Sequence, residues 1–140
     1  MQLTIKSNVG LVRQGLQDLQ GQPVKIGRRK IFDAMNRITR EMEGYPRERP
    51  NQRYKRTGNL GASWKVLNVG DGYRISNDAR GPKGRAYAKY VVGDSYGTSQ
   101  AWMHRGRWQN FRDVVDAEVE KLPPEVVQEL NMITRRIGQP

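Results

Sequence analysis

A chain of 140 residues, of which 36% are hydrophobic and whose mean hydropathy is −0.84, is predicted to form one domain with a small core. The lack of cysteine excludes disulfides and thiolate metal sites, and with a single histidine it also excludes a zinc site built from His and Cys. The sequence shows neither a signal peptide nor an apolar run near the ~18 residues of a membrane span, so we expect a soluble protein made in the cytoplasm.

The net charge of +11 is distributed unevenly along the chain. Residues 25–65 carry +8 and residues 80–112 carry +6, whereas residues 113–140 carry −3. Such an asymmetry suits a polyanionic partner such as nucleic acid. It suits equally well a head-to-tail oligomer, in which the acidic end of one subunit meets the basic face of the next.

The first twenty residues predict a short strand and a short helix. Residues 2–6 alternate polar and apolar, as in an edge strand. Ser7 or Asn8 is positioned to cap a helix that ends near Gly21.

A second, longer helix is predicted from Pro23 to about Glu43, before Gly44 and Pro46. Pro23 would stand in the first turn, where its missing N–H costs nothing. Its apolar residues recur with the 3.6-residue period of a helix and so lie on one helix face. These residues are Val24, Ile31, Met35, Ile38 and Met42.

Residues 44–59 are predicted to form a basic loop, because they contain two prolines and no apolar periodicity. Tyr45 and Tyr54 are interleaved with the basic residues, and Glu48 is the only acidic one. A connection of this length is usually functional or disordered. It is therefore either a flexible solvated loop or a loop that orders against DNA or a neighbouring subunit.

A β-hairpin is predicted next. Gly58 and Gly61 indicate a turn that leads into a strand over residues 62–67, whose side chains alternate. A tight turn at residues 70–72 returns the chain through a second strand at residues 73–76. After a loop at 77–84, residues 86–92 are apolar but too few for periodicity to distinguish strand from helix.

The C-terminal part is predicted to be helical. An aromatic and basic connector at residues 102–107 precedes a helix with apolar residues at Trp108, Phe111, Val115, Val119 and Leu122. Pro123 and Pro124 break this helix, and a second segment continues as a C-terminal extension over 123–140, with apolar residues at Val126, Leu130, Ile133 and Ile137. The predicted fold class is α+β, with a small antiparallel sheet packed against the long N-terminal amphipathic helix and the C-terminal helices.

The sequence contains no catalytic constellation that we can identify. His104, flanked by Arg105 and Arg107, is a conceivable general base for a small nuclease, but a lone histidine in a connector is more often a surface or interface residue. The carboxylates of the last helices fit a solvated face. The three tryptophans are more typical of core or interface anchors than of base-stacking platforms, and they are Trp64, Trp102 and Trp108. We therefore expect no enzyme activity and no cofactor.

Two motifs, taken with the order of helix, basic loop, hairpin and helix, resemble a known family. The first is Arg56-Thr57-Gly58-Asn59-Leu60, and the second is Tyr87-Ala88-Lys89-Tyr90-Val91 followed by Gly97-Thr98. The chain is similar from about residue 12 to residue 130 to the minor-tail or neck proteins of long-tailed bacteriophages, which complete the tail and join it to the head. It differs from the family pattern at Asp94-Ser95-Tyr96 and at Ala101-Trp102-Met103.

The resemblance implies a structural virion protein rather than an enzyme. It implies an α+β subunit of a homo-oligomeric ring, with on the order of six or twelve copies, at the head–tail junction. The ring would join the connector protein of the phage head to the tail, as a neck, tail-completion or tail-terminator protein, and would surround the DNA channel. Its partners would be further copies of itself, the neighbouring phage connector and tail proteins, and the DNA in the lumen, with no membrane.

The basic loop and the connector at residues 99–107 are the segments that we expect to reach a neighbouring subunit or the channel. The candidate residues are Arg47, Arg49, Arg53, Lys55, Arg56, Trp102, His104, Arg105 and Arg107. The alternative is a free-standing basic nucleic-acid-binding protein, which would use the same loop together with residues 83–89.

Overall fold

The computed structural model describes residues 6–53, 55–70 and 72–137. It confirms the α+β class. The elements in chain order are α1 (Lys6–Met42), α2 (Asn59–Ala62), β1 (Trp64–Val69), β2 (Gly72–Asn77), α3 (Ala88–Val92), α4 (Phe111–Val119) and α5 (Leu122–Ile137). The described residues include no helix that is both long and apolar enough to cross a membrane.

The chain divides into two compact units, one within residues 1–30 and 123–140 and the other of residues 31–122. In the first unit Ile26 is buried, and Glu129 on α5 forms ion pairs with Arg29 and Lys30 on α1. The Nζ atom of Lys30 lies 3.3 Å from Oε2 of Glu129. That the whole chain is a single domain stays a prediction.

The predicted break between two N-terminal helices is wrong, since α1 continues through Gly21 and Pro23. Glycine and proline in a helix interior cost about 1 and 3 kcal/mol relative to alanine, so they weaken a helix without forbidding it. The predicted strand at residues 2–6 lies outside the described residues, apart from Lys6, at which α1 begins. The predicted end of the long helix is confirmed at Met42.

The apolar stripe predicted for α1 is only partly buried. Ile38 and Met42 are each 3% exposed, whereas Val24 is 66% and Ile31 40% exposed. Ala34 is buried in the second unit although the stripe did not include it. Periodicity identifies a helix face, but contact with the rest of the fold decides how much of that face is covered.

The hairpin is confirmed. β1 and β2 pair antiparallel from Trp64 opposite Asn77 to Val69 opposite Gly72, so a two-residue loop connects them. Gly70 in this loop has a φ of 62°, a left-handed conformation that glycine adopts at no steric cost.

The prediction that the first strand begins at residue 62 is wrong, because Ala62 closes the single turn of α2. Its N–H donates to the carbonyl of Gly58 over 3.0 Å, and Gly58 itself is left-handed with a φ of 75°. The ambiguous segment at residues 86–92 contains α3 rather than a strand.

The C-terminal helix begins later than predicted, at Phe111 rather than Trp108. The side chain of Asn110 caps it, accepting a hydrogen bond from the N–H of Arg112 over 3.0 Å. Val114 faces the core, whereas Val119, a member of the apolar series that predicted the helix, is 51% exposed. The predicted interruption is present but does not lie at the two prolines, since α4 ends at Val119 and α5 begins at Leu122, with Pro123 and Pro124 in its first turn.

The core of the second unit lies where the sheet, α1 and α4 meet. Its buried members are Ile38, Met42, Leu60, Ala79, Val92 and Val114. Two aromatic pairs connect the sheet to the helices around this core. Trp64 stacks on Phe111 of α4 with ring centres 5.6 Å apart, and Tyr73 contacts Phe32 of α1 at 5.2 Å.

Candidate functional site

A pocket of about 400 Å³ in the second unit brings the basic loop and the connector together. Its apolar lining consists of Tyr45, Leu60, Tyr87, Val91, Met103 and Trp108. Its polar lining consists of Gln52, Arg56, Thr57, His104 and Arg107. Three of the predicted site residues therefore line one pocket, and they are Arg56, His104 and Arg107.

Arg56 belongs to the wall of this pocket rather than to the open surface. Its guanidinium lies 5.5 Å from the centre of the Tyr45 ring and 5.6 Å from that of Trp108. It donates to the carbonyl of Pro46 and lies 3.8 Å from the carboxylate of Glu48, and its side chain is only 15% exposed. Arg56 therefore holds Tyr45 and Pro46, at the start of the basic loop, beside Trp108, which directly follows the connector.

Arg107 joins the loop to the connector from the other side. Its Nη2 donates to the carbonyl of Arg47 over 3.1 Å and to Oε1 of Gln52 over 3.0 Å. Burial, followed by the positive charges of Arg49 and Arg56, lowers the pKa of Arg107, and Glu48 acts in the opposite direction. The rim of the pocket near Arg107 therefore carries more positive than negative charge, and the nearby carboxylate is that of Glu48.

His104 lies in the wall of the pocket with its ring edge-on to Trp108, the ring centres being 6.2 Å apart. Burial and then the charge of Arg107 lower the pKa of His104, because both disfavour the charged form of the ring. Within the described residues no group of three or more His, Cys, Asp or Glu side chains could hold a metal ion.

The remaining basic candidates face solvent. The residues with exposed side chains are Arg47, Arg49, Arg53, Lys55 and Arg105. Arg105 also donates from Nε to the carbonyl of Gln100 over 3.2 Å. Exposed guanidinium and ammonium groups are the donors that phosphates or carboxylates of a partner would meet.

Large apolar side chains are exposed next to this basic region. Trp102 is 79%, Met103 54% and Tyr90 50% exposed. The N–H of Ala101 donates to the carbonyl of Tyr90 over 2.8 Å, which holds the connector beside α3. We call these three exposed side chains the aromatic cluster, after Tyr90 and Trp102, and Met103 is its third member. Trp64 and Trp108, by contrast, pack within the unit.

Glu118 is a buried carboxylate with a structural explanation. It is 4% exposed and accepts from Nε of Arg37 over 2.7 Å and from Nζ of Lys121 over 2.5 Å. Burial alone would raise the pKa of Glu118, but the hydrogen bonds from Lys121 and Arg37 outweigh it and lower the pKa. A carboxylate that is ionised and doubly paired is poorly suited to donate a proton.

Sequence reasoning missed Asp94 and Gln100, which shape the connector. Asp94 accepts hydrogen bonds from the N–H groups of Tyr96 and Thr98, at 3.0 and 3.1 Å, and from the hydroxyl of Ser99. Gln100 is 5% exposed and donates to the carbonyl of Val91 over 2.9 Å. An Asp two residues before a Tyr-Gly pair is a recognisable signal for such a turn, whereas nothing local indicates the burial of Gln100.

We predict that Asp94→Asn lowers the melting temperature in a pH-dependent way. The bonds from Ser99, Thr98 and Tyr96 lower the pKa of Asp94 to about 2. Because the unfolded value is about 3.9, the stabilisation is complete above that pH and is lost as the pH falls through the folded pKa. The difference in melting temperature between wild type and variant, followed by circular dichroism, should therefore shrink from pH 6 toward pH 2.

Ser95→Ala is the control for this loop, because the Ser95 side chain is exposed and only its carbonyl accepts, from Arg112. Its melting temperature should differ from wild type by the same small amount at each pH. A difference for Asp94→Asn that is independent of pH would contradict an ionised, hydrogen-bonded Asp94.

Comparisons of this chain with protein-family models, with characterised proteins and with solved structures gave no significant match.

Proposed function

We propose that the chain is a structural virion protein, a subunit of a homo-oligomeric ring at the head–tail junction of a long-tailed phage. In this role, as a neck, tail-completion or tail-terminator protein, it joins the connector protein of the phage head to the tail and surrounds the DNA channel. The observation that carries the proposal is the aromatic cluster, which is exposed beside a basic loop. The two motifs that resemble the neck family lie in the same part of the chain.

The aromatic cluster has the composition of an interface core. Tryptophan, tyrosine and methionine are enriched at the centres of protein interfaces, where burial of their large apolar surface supplies most of the affinity. Trp102 and Met103 stand next to each other on a connector that Asp94 and Gln100 hold in place. A preorganised segment of this kind loses little entropy when a neighbouring subunit covers it.

The basic loop supports a position near the packaged genome. Arg47, Arg49, Arg53 and Lys55 are exposed and do not lie in the pocket wall. In a ring these side chains would face the phosphates of DNA in the channel without reading its sequence.

The same exposed cations favour a second candidate, a free-standing nucleic-acid-binding protein. That candidate requires the isolated monomer to bind DNA or RNA, with an affinity that falls steeply with salt. A nuclease based on His104 has less support, because among the described residues the ring contacts Trp108 and feels the charge of Arg107, neither of which is a carboxylate that would orient a base.

Sedimentation velocity over a concentration series tests the ring. We expect the wild type to self-associate and Trp102→Ser to shift the population toward monomer, with an unchanged melting temperature because Trp102 is 79% exposed. Val24→Ser is the control, since Val24 is 66% exposed outside the aromatic cluster and should leave association unchanged.

Two outcomes would contradict the ring. One is a wild type that stays monomeric at every soluble concentration; if it also binds duplex DNA with a steep salt dependence, the second candidate is favoured. The other is an image of the assembled particle in which both the basic loop and the connector lie free in solvent.

A further inference from the structure

We propose that the pocket of one subunit receives the C-terminal end of α4 from the next copy, with Val119 in the apolar interior and the Glu120 carboxylate at Arg107. This inference rests on the proposed ring and specifies which two surfaces would meet in it.

The pocket has the chemistry to bind an apolar side chain that is flanked by a carboxylate. Most of its lining is aromatic or aliphatic, so it favours an apolar occupant. At its rim Arg107 lies close enough to Arg49 and Arg56 for their charges to lower its pKa, with Glu48 as the opposing carboxylate. A further anion beside Arg107 would relieve this repulsion between like charges.

The end of α4 offers the complementary pair. Val119 is 51% exposed, and Glu120 next to it is exposed as well. Glu118 is unsuitable, because it is buried and already paired with Arg37 and Lys121. The segment 113–140 carries a net charge of −3, so its overall charge also opposes that of the pocket.

The two surfaces are separate on one subunit. Trp108 lines the pocket and α4 begins at Phe111, so Val119 lies about 12 Å further along the helix at about 1.5 Å per residue. A rigid helix cannot bring Val119 back to the pocket of its own chain. Two different patches that fit each other form a heterologous contact, and repeated heterologous contacts form a ring when the rotation between copies closes.

The lack of cysteine permits a direct test by cross-linking. Met103→Cys places a thiol in the pocket wall and Val119→Cys places one on the end of α4; the two single variants are mixed and oxidised with diamide. A disulfide requires Cα atoms about 4.4–6.8 Å apart, so a mixed dimer should form in clear excess over both homodimers. Lys83→Cys, at an exposed position outside the pocket, replaces Val119→Cys in the control mixture and should give no such excess.

A charge exchange tests the ionic part of the contact. We expect Arg107→Glu and Glu120→Arg each to weaken self-association about tenfold or more, and the double variant to recover most of the loss. Glu120→Arg is the cleaner single variant, because Arg107 also donates to Arg47 and Gln52.

The outcomes separate this inference from the ring itself. A wild type that self-associates while the mixed dimer is absent, and whose association Glu120→Arg leaves unchanged, overturns the inference and leaves the ring intact. A wild type that does not associate overturns both. If Arg107→Glu abolishes binding of duplex DNA without changing association, the pocket serves nucleic acid and the inference is wrong.

Discussion

Replacing Ile38 with Ala is expected to lower the free energy of unfolding by about 3 kcal/mol. Ile38 is 3% exposed and packs in one cluster with Met42, Leu60 and Val92. The substitution removes apolar atoms that are buried in the fold, and it leaves a cavity because close-packed neighbours relax only partly. Urea denaturation followed by circular dichroism at 222 nm measures the loss, with the slope of the transition as a check on two-state behaviour.

Ile31→Ala is the matched control, seven residues earlier on the same helix. Ile31 is 40% exposed, so the same substitution there should cost less than about 1 kcal/mol. Equal losses for the two variants would mean that Ile31 is covered in solution, so that this face of α1 is not exposed.

The same pair of residues shows how far the sequence predicts the fold. Ile31 and Ile38 belong to one periodic stripe, and periodicity treats them alike. Burial distinguishes them, because it depends on which segments return to the helix from distant parts of the chain. The helix and its end at Met42 could therefore be predicted from the sequence, whereas the covered length of its apolar face could not.

The hairpin was predictable and the helix starts were less so. Two segments of alternating polar and apolar residues on either side of a glycine turn specify a hairpin, because their interactions join residues that are close in sequence. The true starts of α2 and α4 depend on Gly58 in a left-handed conformation and on the capping side chain of Asn110. Apolar periodicity contains no information about such caps, so it extended the C-terminal helix back to Trp108.

The composition of the sequence indicated which segments form the candidate site, but it did not indicate how their side chains are arranged. The sequence marked the loop and the connector as basic, and the structure brings Arg56 and Arg107 to one pocket. It did not distinguish these two pocket-lining arginines from the exposed Arg47, because all three belong to the same two basic segments. The difference arises from Tyr45 and Trp108, whose rings meet at 5.3 Å only after folding and bind the guanidinium of Arg56.

Replacing Gly61 with Ala is expected to destabilise the second unit by about 2 kcal/mol. A Cβ at this position would lie 2.9 Å from the carbonyl oxygen of Glu43 and 3.0 Å from Cε2 of Tyr45. The backbone oxygen cannot move without disturbing the end of α1, and the N–H of Gly61 donates to the hydroxyl of Tyr45 over 2.9 Å. The clash should outweigh the gain in helix propensity of about 1 kcal/mol.

Gly27→Ala provides the control with the opposite sign. Gly27 lies inside α1, and a Cβ there would meet no atom within 4 Å beyond the neighbouring helix backbone, so the substitution should raise stability by up to about 1 kcal/mol. Because Tyr45 lines the pocket, Gly61→Ala should also weaken any self-association that depends on the pocket, and Gly27→Ala should not. If Gly61→Ala instead stabilises the chain as Gly27→Ala does, the close approach of α2 to Glu43 and Tyr45 does not exist in solution, and this wall of the pocket is differently built.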